Sequence, residues 1–230
     1  VVSEMIENAD TLSDIRNDPI YLEAVDVALL QVLHTIYLFH SKFNLIHNDL
    51  HALNVLFQAF NPQTTKGPRD EDLSQYDYYA YQMGHKMWYI PRRKYTLVAT
   101  IIDFGLSCRY ADKKSGKLPI CSDGTKMEAF KQYYAPAYDY LLIAFGMLKD
   151  TTKGQHMFGE IMSLAFNGRY TFNDYVDGVD QYFRYTVIND HLVKNAPTLD
   201  VLIPQIPFFK QYERKPPAGS RVCILGTDLD

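Results

Sequence analysis

Cysteine is scarce in this chain: three residues, at 108, 121 and 223, with no CxxC pair among them. An odd count without paired spacing argues against a disulfide framework. The chain therefore reads as one kept in a reduced, intracellular compartment. No Asn-x-Ser/Thr acceptor site occurs, in keeping with that reading. Long apolar runs are missing as well. The longest, Leu141 to Phe145, falls far short of the ~20 residues that a membrane span needs. No secretory leader is visible. Charge of one sign is not in excess: the net value is −4 and the pI about 6.0. That gives no sign of a nucleic-acid partner, which would favour a strongly basic face. An initiator Met is missing and the first residues are apolar, so the sequence reads as a piece of a longer protein. It carries no internal repeat.

Aromatic residues are plentiful, with 18 Tyr and 13 Phe in 230 residues. Hydrophobic residues make up 47% and charged residues 22%, as in soluble globular chains. The length suits one large domain with a well-buried core.

Residues 1–10 read as a strand end entering a polar turn, and a weak helix is expected over Thr11 to Asn17. Pro19 stands where a helix can start at no cost in hydrogen bonds. From Tyr21 to about His40 the sequence is apolar on nearly every side, the pattern of a buried central helix. Leu45 and Ile46 lead to HNDLHALN and then to a short strand, Val55 to Phe57. Residues 58–86 are polar and rich in turn formers, and predict a long surface excursion partly ordered by its aromatics. Met87–Ile90 and Tyr95–Ile102 have strand composition and flank a turn at Pro91–Lys94. Residues 103–136 read as loop. Tyr138–Leu148 predicts a second buried helix, with amphipathic helices around 154–166 and 174–188. Four prolines in 203–230 predict an irregular tail over the surface.

Two constellations carry chemistry. The first is His47-Asn48-Asp49-Leu50-His51-Ala52-Leu53-Asn54, on a loop between a helix and a strand. An acid and an amide five residues apart suit phosphoryl transfer. Asp49 can accept a hydroxyl proton, and Asn54 can offer a neutral oxygen to Mg²⁺. The second is Ile101-Ile102-Asp103-Phe104-Gly105, after a strand. Asp103 supplies a carboxylate able to bridge metal and phosphates. Phe104 can pack inward, and Gly105 permits a sharp backbone turn.

In this order, HNDLHALNVLF resembles the catalytic loop of protein kinases and IIDFGLS resembles their metal-binding loop. The resemblance implies an α+β protein-kinase-like fold, mostly its helical large lobe. It places a hinge at 1–10 and the large lobe at 11–230, with an insertion at about 58–98. Ser3-Glu4-Met5-Ile6 is similar to the adenine-holding hinge, where the C=O of Glu4 and the N–H of Ile6 pair with the base and Asp10 lies near the ribose. Asp139, an acid on an apolar helix, matches the residue that clamps the catalytic-loop backbone, and a lone buried carboxylate needs such partners. The small lobe, with its Gly-rich loop and strand Lys, has no counterpart in these residues.

The departures matter. His51 stands in place of the usual catalytic-loop Lys, as in haspin-like kinases and small-molecule phosphotransferases, and would touch a phosphate when protonated. Asn48 replaces the Arg that senses activation-loop phosphorylation, so no such switch is expected. No clear APE motif follows; Tyr134-Ala135-Pro136 lies too near Asp139. The long stretch between the motifs resembles divergent kinases of large DNA viruses, which would add virion proteins to the partners and the host cytoplasm or virion to the locations.

Other clusters have plainer readings. His47 and His51 are four apart, but Asn48 stands where a zincin needs Glu, so zinc is not expected. His47 is read as packing behind Phe104, and His34 and His40 as ordinary helix residues. Arg92, Arg93 and Lys94 read as a solvated turn, and Lys113, Lys114 and Lys117 likewise. The Tyr76, Tyr78, Tyr79 and Tyr81 cluster reads as packing.

The expected activity is ATP- and Mg²⁺-dependent transfer of the γ-phosphoryl to a protein Ser or Thr hydroxyl. Asp49 and His51 would be catalytic, and Asn54 and Asp103 would hold the metal. Two alternatives stay open: a catalytically weak pseudokinase acting as a scaffold, and a small-molecule kinase.

Overall fold

The computed structural model describes residues 9–65, 72–110, 120–121, 136–169 and 196–225. The helix expected around 174–188 lies outside them. The described residues form a mixed α+β structure around one large apolar core.

The chain enters through β1 (Asp10–Thr11) and a one-turn helix, α1 (Leu12–Ile15). Helix α2 (Pro19–Lys42) follows. Its start combines Pro19 at the first helical position with an Asp18 cap, whose side chain accepts the Ile20 N–H at 2.7 Å. His40 and Lys42 in its last turn complement the helix dipole. Leu29, Leu30 and Ile36 are wholly buried, each contributing roughly 1.5–3 kcal/mol relative to exposure. By length and composition α2 could cross a bilayer, but 72% of that stretch is buried inside the fold. Its role here is that of a core helix. Among the described residues no other helix passes that test.

Three small sheets surround α2. The first has the order β1–β3–β6, with β3 (Val55–Ala59) antiparallel to β6 (Leu97–Ile101) and Val55 opposite Ile101. Gln31 of α2 completes the outer edge of β6. Its amide donates to the Leu97 carbonyl at 2.7 Å and accepts the Ala99 N–H at 2.9 Å. The second sheet joins β2 (Leu45–Ile46), β7 (Cys108–Arg109) and β8 (Ile120–Cys121). The third has the order β5–β4–β9. Here β4 (Tyr78–Met83) and β5 (Lys86–Pro91) form a hairpin, and β9 (Val222–Leu225) adds in parallel to β4. Helices α3 (Ala137–Leu148) and α4 (Thr152–Ala165) pack on each other, and α3 packs on α2. A short α5 (Leu199–Leu202) and two 3₁₀ turns, Ile203–Gln205 and Pro207–Tyr212, lead to β9.

Three expectations are corrected. Residues 58–86 are not only a surface excursion: Tyr79, Ala80, Tyr81 and Met83 of β4 are buried. Their hydroxyls are matched inside, Tyr81 to Tyr95 at 2.6 Å and Tyr79 to the Leu73 carbonyl at 3.0 Å. The strands flanking Pro91–Lys94 do not pair with each other. Each joins a different sheet, and Arg92–Lys94 is a 3₁₀ turn between the two. The tail is not irregular surface: Ile203, Ile206, Phe209, Tyr212 and Cys223 are buried. Pro204 and Pro207 fall in the first turns of 3₁₀ helices, where a missing N–H is harmless.

The cysteines differ as well. Cys223 is free, but Cys108 is disulfide-bonded. Cys108 lies directly opposite Cys121 in the β7–β8 ladder, a juxtaposition that a long sequence spacing hides.

Candidate active site

The loop after β2 turns at Asn48, which adopts a left-handed backbone (φ 65°). Asn tolerates that region better than most residues. The turn is held from α3 by Asp139, which is fully buried. One carboxylate oxygen accepts the His47 N–H at 2.8 Å and the other the Asn48 N–H at 3.0 Å. His40 Nε2, at the end of α2, lies 3.0 Å from the first oxygen. These three partners meet the cost of placing a carboxylate in the core. His40 has no place in the sequence motifs. It sits 99 positions from Asp139, with no local pattern to reveal the pairing.

His47 Nε2–H donates to the Ile102 carbonyl at 2.9 Å, and its ring lies 4.9 Å from that of Phe104. Phe104 also meets Phe39 of α2 edge-on at 5.3 Å, yet remains 37% exposed. The Asn48 amide donates to the Leu106 carbonyl at 3.2 Å, and Ser107 Oγ to the His47 carbonyl at 3.4 Å. The Ile102 N–H donates to the Asn54 carbonyl at 3.0 Å. Since Val55 faces Ile101, Asn54 and Asp103 emerge at the same end of the β3–β6 pair.

Within the first loop, the Asn54 amide donates to the Asp49 carbonyl at 2.8 Å. Its Oδ1 accepts no hydrogen bond among the described residues. His51 caps the 3₁₀ turn Ala52–Asn54 by accepting the Leu53 N–H on Nδ1 at 3.2 Å. Its Nε2 lies 3.7 Å from the Asp49 carboxylate, and both side chains are more than a third exposed. Asp103 is exposed and left-handed, with φ 58°. Its Oδ1 accepts the Gly105 N–H at 3.1 Å. The sharp turn is therefore made at Asp103, not at Gly105, whose φ is not positive. Gly105 serves another need: a Cβ there would meet Asp103 Oδ1 at 3.0 Å. Leu53, Phe104 and Leu106 form an exposed apolar rim around these loops.

Asp10 is exposed and lies on β1, which neighbours β3 and the Ala52–Asn54 turn. It pairs with Phe57 and borders a cavity of about 790 Å³ together with Tyr21, Phe57, Arg93 and Lys153. None of Asp49, His51, Asn54 and Asp103 lines that cavity. Glu4 and Ile6 lie outside the described residues, as do Lys113, Lys114 and Lys117.

Among the described residues no group of three or more His, Cys, Asp or Glu side chains is placed to hold a metal ion. Asn54 and Asp103 offer one amide oxygen and one carboxylate. That set suits a magnesium ion whose remaining ligands are phosphate and water oxygens, rather than a cage made by protein alone. No protein-family model matches the chain, and no curated protein matches it in sequence.

Proposed function

We propose that this chain performs ATP-dependent phosphoryl transfer of the protein-kinase type, with a protein Ser or Thr hydroxyl as acceptor. The observation that carries the reading is the bond from Ile102 N–H to the Asn54 carbonyl, 3.0 Å long. It brings the amide of one motif and the acid of the other to the same end of one strand pair. The Asp139 clamp adds support, because it fixes the backbone just before Asp49.

In this reading Asp49, partly exposed, orients the acceptor hydroxyl and takes its proton. Asn54 Oδ1 and the Asp103 carboxylate hold Mg²⁺, which when bound neutralises charge on the β- and γ-phosphates. His51 stands beside Asp49, where its ring can meet the transferring phosphate. His47, Phe104 and Asp139 position the two loops and do not touch substrate.

The test is transfer from radiolabelled ATP to a protein acceptor. Asp49→Ala is expected to lower the rate at least about 10²-fold. Asp103→Asn is the better second variant, because Asn accepts φ 58° while losing the charge. It should lose activity to a similar degree, with the melting temperature unchanged. Full activity in either variant would sink the assignment of roles.

A further inference from the structure

A second cavity, of about 550 Å³, lies outside the motif loops, between the β4–β5 hairpin and residues 211–217. Nine residues line it, among them Tyr78, Tyr89, Pro91, Lys94, Arg214 and Lys215. Tyr78 faces Pro91 across the hairpin, so both stand on the sheet surface that the C-terminal segment covers. Three of the nine residues are cationic, and none is acidic. The neighbouring acids are engaged: Glu213 pairs with Lys86 at 3.4 Å, and Asp26 accepts the Tyr212 hydroxyl at 2.7 Å and the Gln211 amide at 3.0 Å.

The donors are not all engaged. Lys94 meets Gln211 Oε1 at 3.4 Å and lies over the Tyr212 ring. Arg214 and Lys215 are exposed and have no hydrogen-bond or ion-pair partner among the described residues. The hydroxyls of Tyr78 and Tyr89 likewise have none. A concave site with free cations and free hydroxyl donors is complementary to a ligand that only accepts. Its aromatic and proline walls suit a planar body attached to that acceptor.

We propose that this cavity binds a phosphate monoester carried on a planar ring. Lys94, Arg214 and Lys215 receive the dianion, and Tyr78 and Tyr89 flank the ring. The site does not depend on the phosphotransfer reading.

Titration calorimetry of the full 230-residue chain with phenyl phosphate, phenol and inorganic phosphate tests it. Phenyl phosphate is expected to bind tightest and phenol weakest. The double variant Arg214→Ala/Lys215→Ala should bind phenyl phosphate about tenfold more weakly, at unchanged melting temperature. High salt should weaken the wild type in the same direction. A nucleoside monophosphate and a phosphotyrosyl peptide, titrated in parallel, separate a free metabolite from a modified polypeptide. The tighter of the two, showing the same loss in the variant, names the source. Equal affinity of wild type and variant for phenyl phosphate overturns the proposal, because binding at the motif loops is indifferent to Arg214 and Lys215. Equal affinity for phenol and phenyl phosphate overturns it too.

Discussion

A buried carboxylate and a buried imidazole bear the heaviest local loads. Asp139 satisfies two backbone N–H groups and His40, all in the core. Asp139→Ala leaves the His47 and Asn48 N–H groups without their acceptor in the core, so a loss of about 3–5 kcal/mol is expected in urea unfolding. Asp139→Asn keeps one oxygen and should lose less. His34 is a separate case. Its Nε2–H donates to the Gln82 carbonyl at 3.1 Å, and burial pushes its pKa down to about 4. The folded value lies below the ordinary value of 6.5, so between the two the unfolded chain binds a proton that the folded chain refuses. The His34 contribution is full above pH 6.5 and is lost as pH falls toward 4, an effect on the order of 3 kcal/mol. Urea midpoints between pH 7 and pH 4.5 should fall accordingly. His34→Gln, which keeps a donor but cannot titrate, should flatten the slope.

Helix α4 separates two glycines with opposite expectations. A Cβ at Gly154 would collide with the Leu148 carbonyl and crowd Thr151, while one at Gly159 meets nothing within 4 Å. Gly154→Ala should therefore destabilise by roughly 1–3 kcal/mol, whereas Gly159→Ala should stabilise by up to about 1 kcal/mol through helix propensity. Thermal melts of the two variants should shift in opposite directions. Elements with long apolar stretches were readable beforehand: α2, α3 and α4 appear within a few residues of expectation. So were β3 and β6, each adjoining a motif. The β4 strand was not readable, because YYAYQM carries hydroxyls that look polar until Tyr95 and the Leu73 carbonyl are found to receive them. The tail misled through its prolines, which sit in tight turns and leave Phe209 and Tyr212 free to enter the core. Around the motif loops, spacing revealed the acids and the amide. It could not reveal His40 on Asp139, or the left-handed turn at Asp103, since both depend on distant packing.

The whole described structure shares one principal core, running from α2 through β4 and β5 to Phe209, Tyr212 and Cys223. The hairpin inserted between the two motifs is thus part of the central packing and not an appendage. Native-state hydrogen exchange should find the amides of Tyr79 and Tyr81 opening with those of Leu29 and Leu30, in one cooperative unit. Exchange of the hairpin several orders of magnitude faster than α2 would count against that. The parallel pairing of β4 with β9 has a consequence for how the protein comes to be made. Tyr78 meets Val222, so a strand synthesised in the first half of the chain waits for a neighbour translated more than half the chain's length later. During that interval one side of β4 offers unpaired peptide groups beside three tyrosines, a template for sticking to other nascent chains. A ribosome stalled before Val222 would release a product with that edge still open, and insoluble fragments ending there are what a pulse-labelled translation reaction should collect.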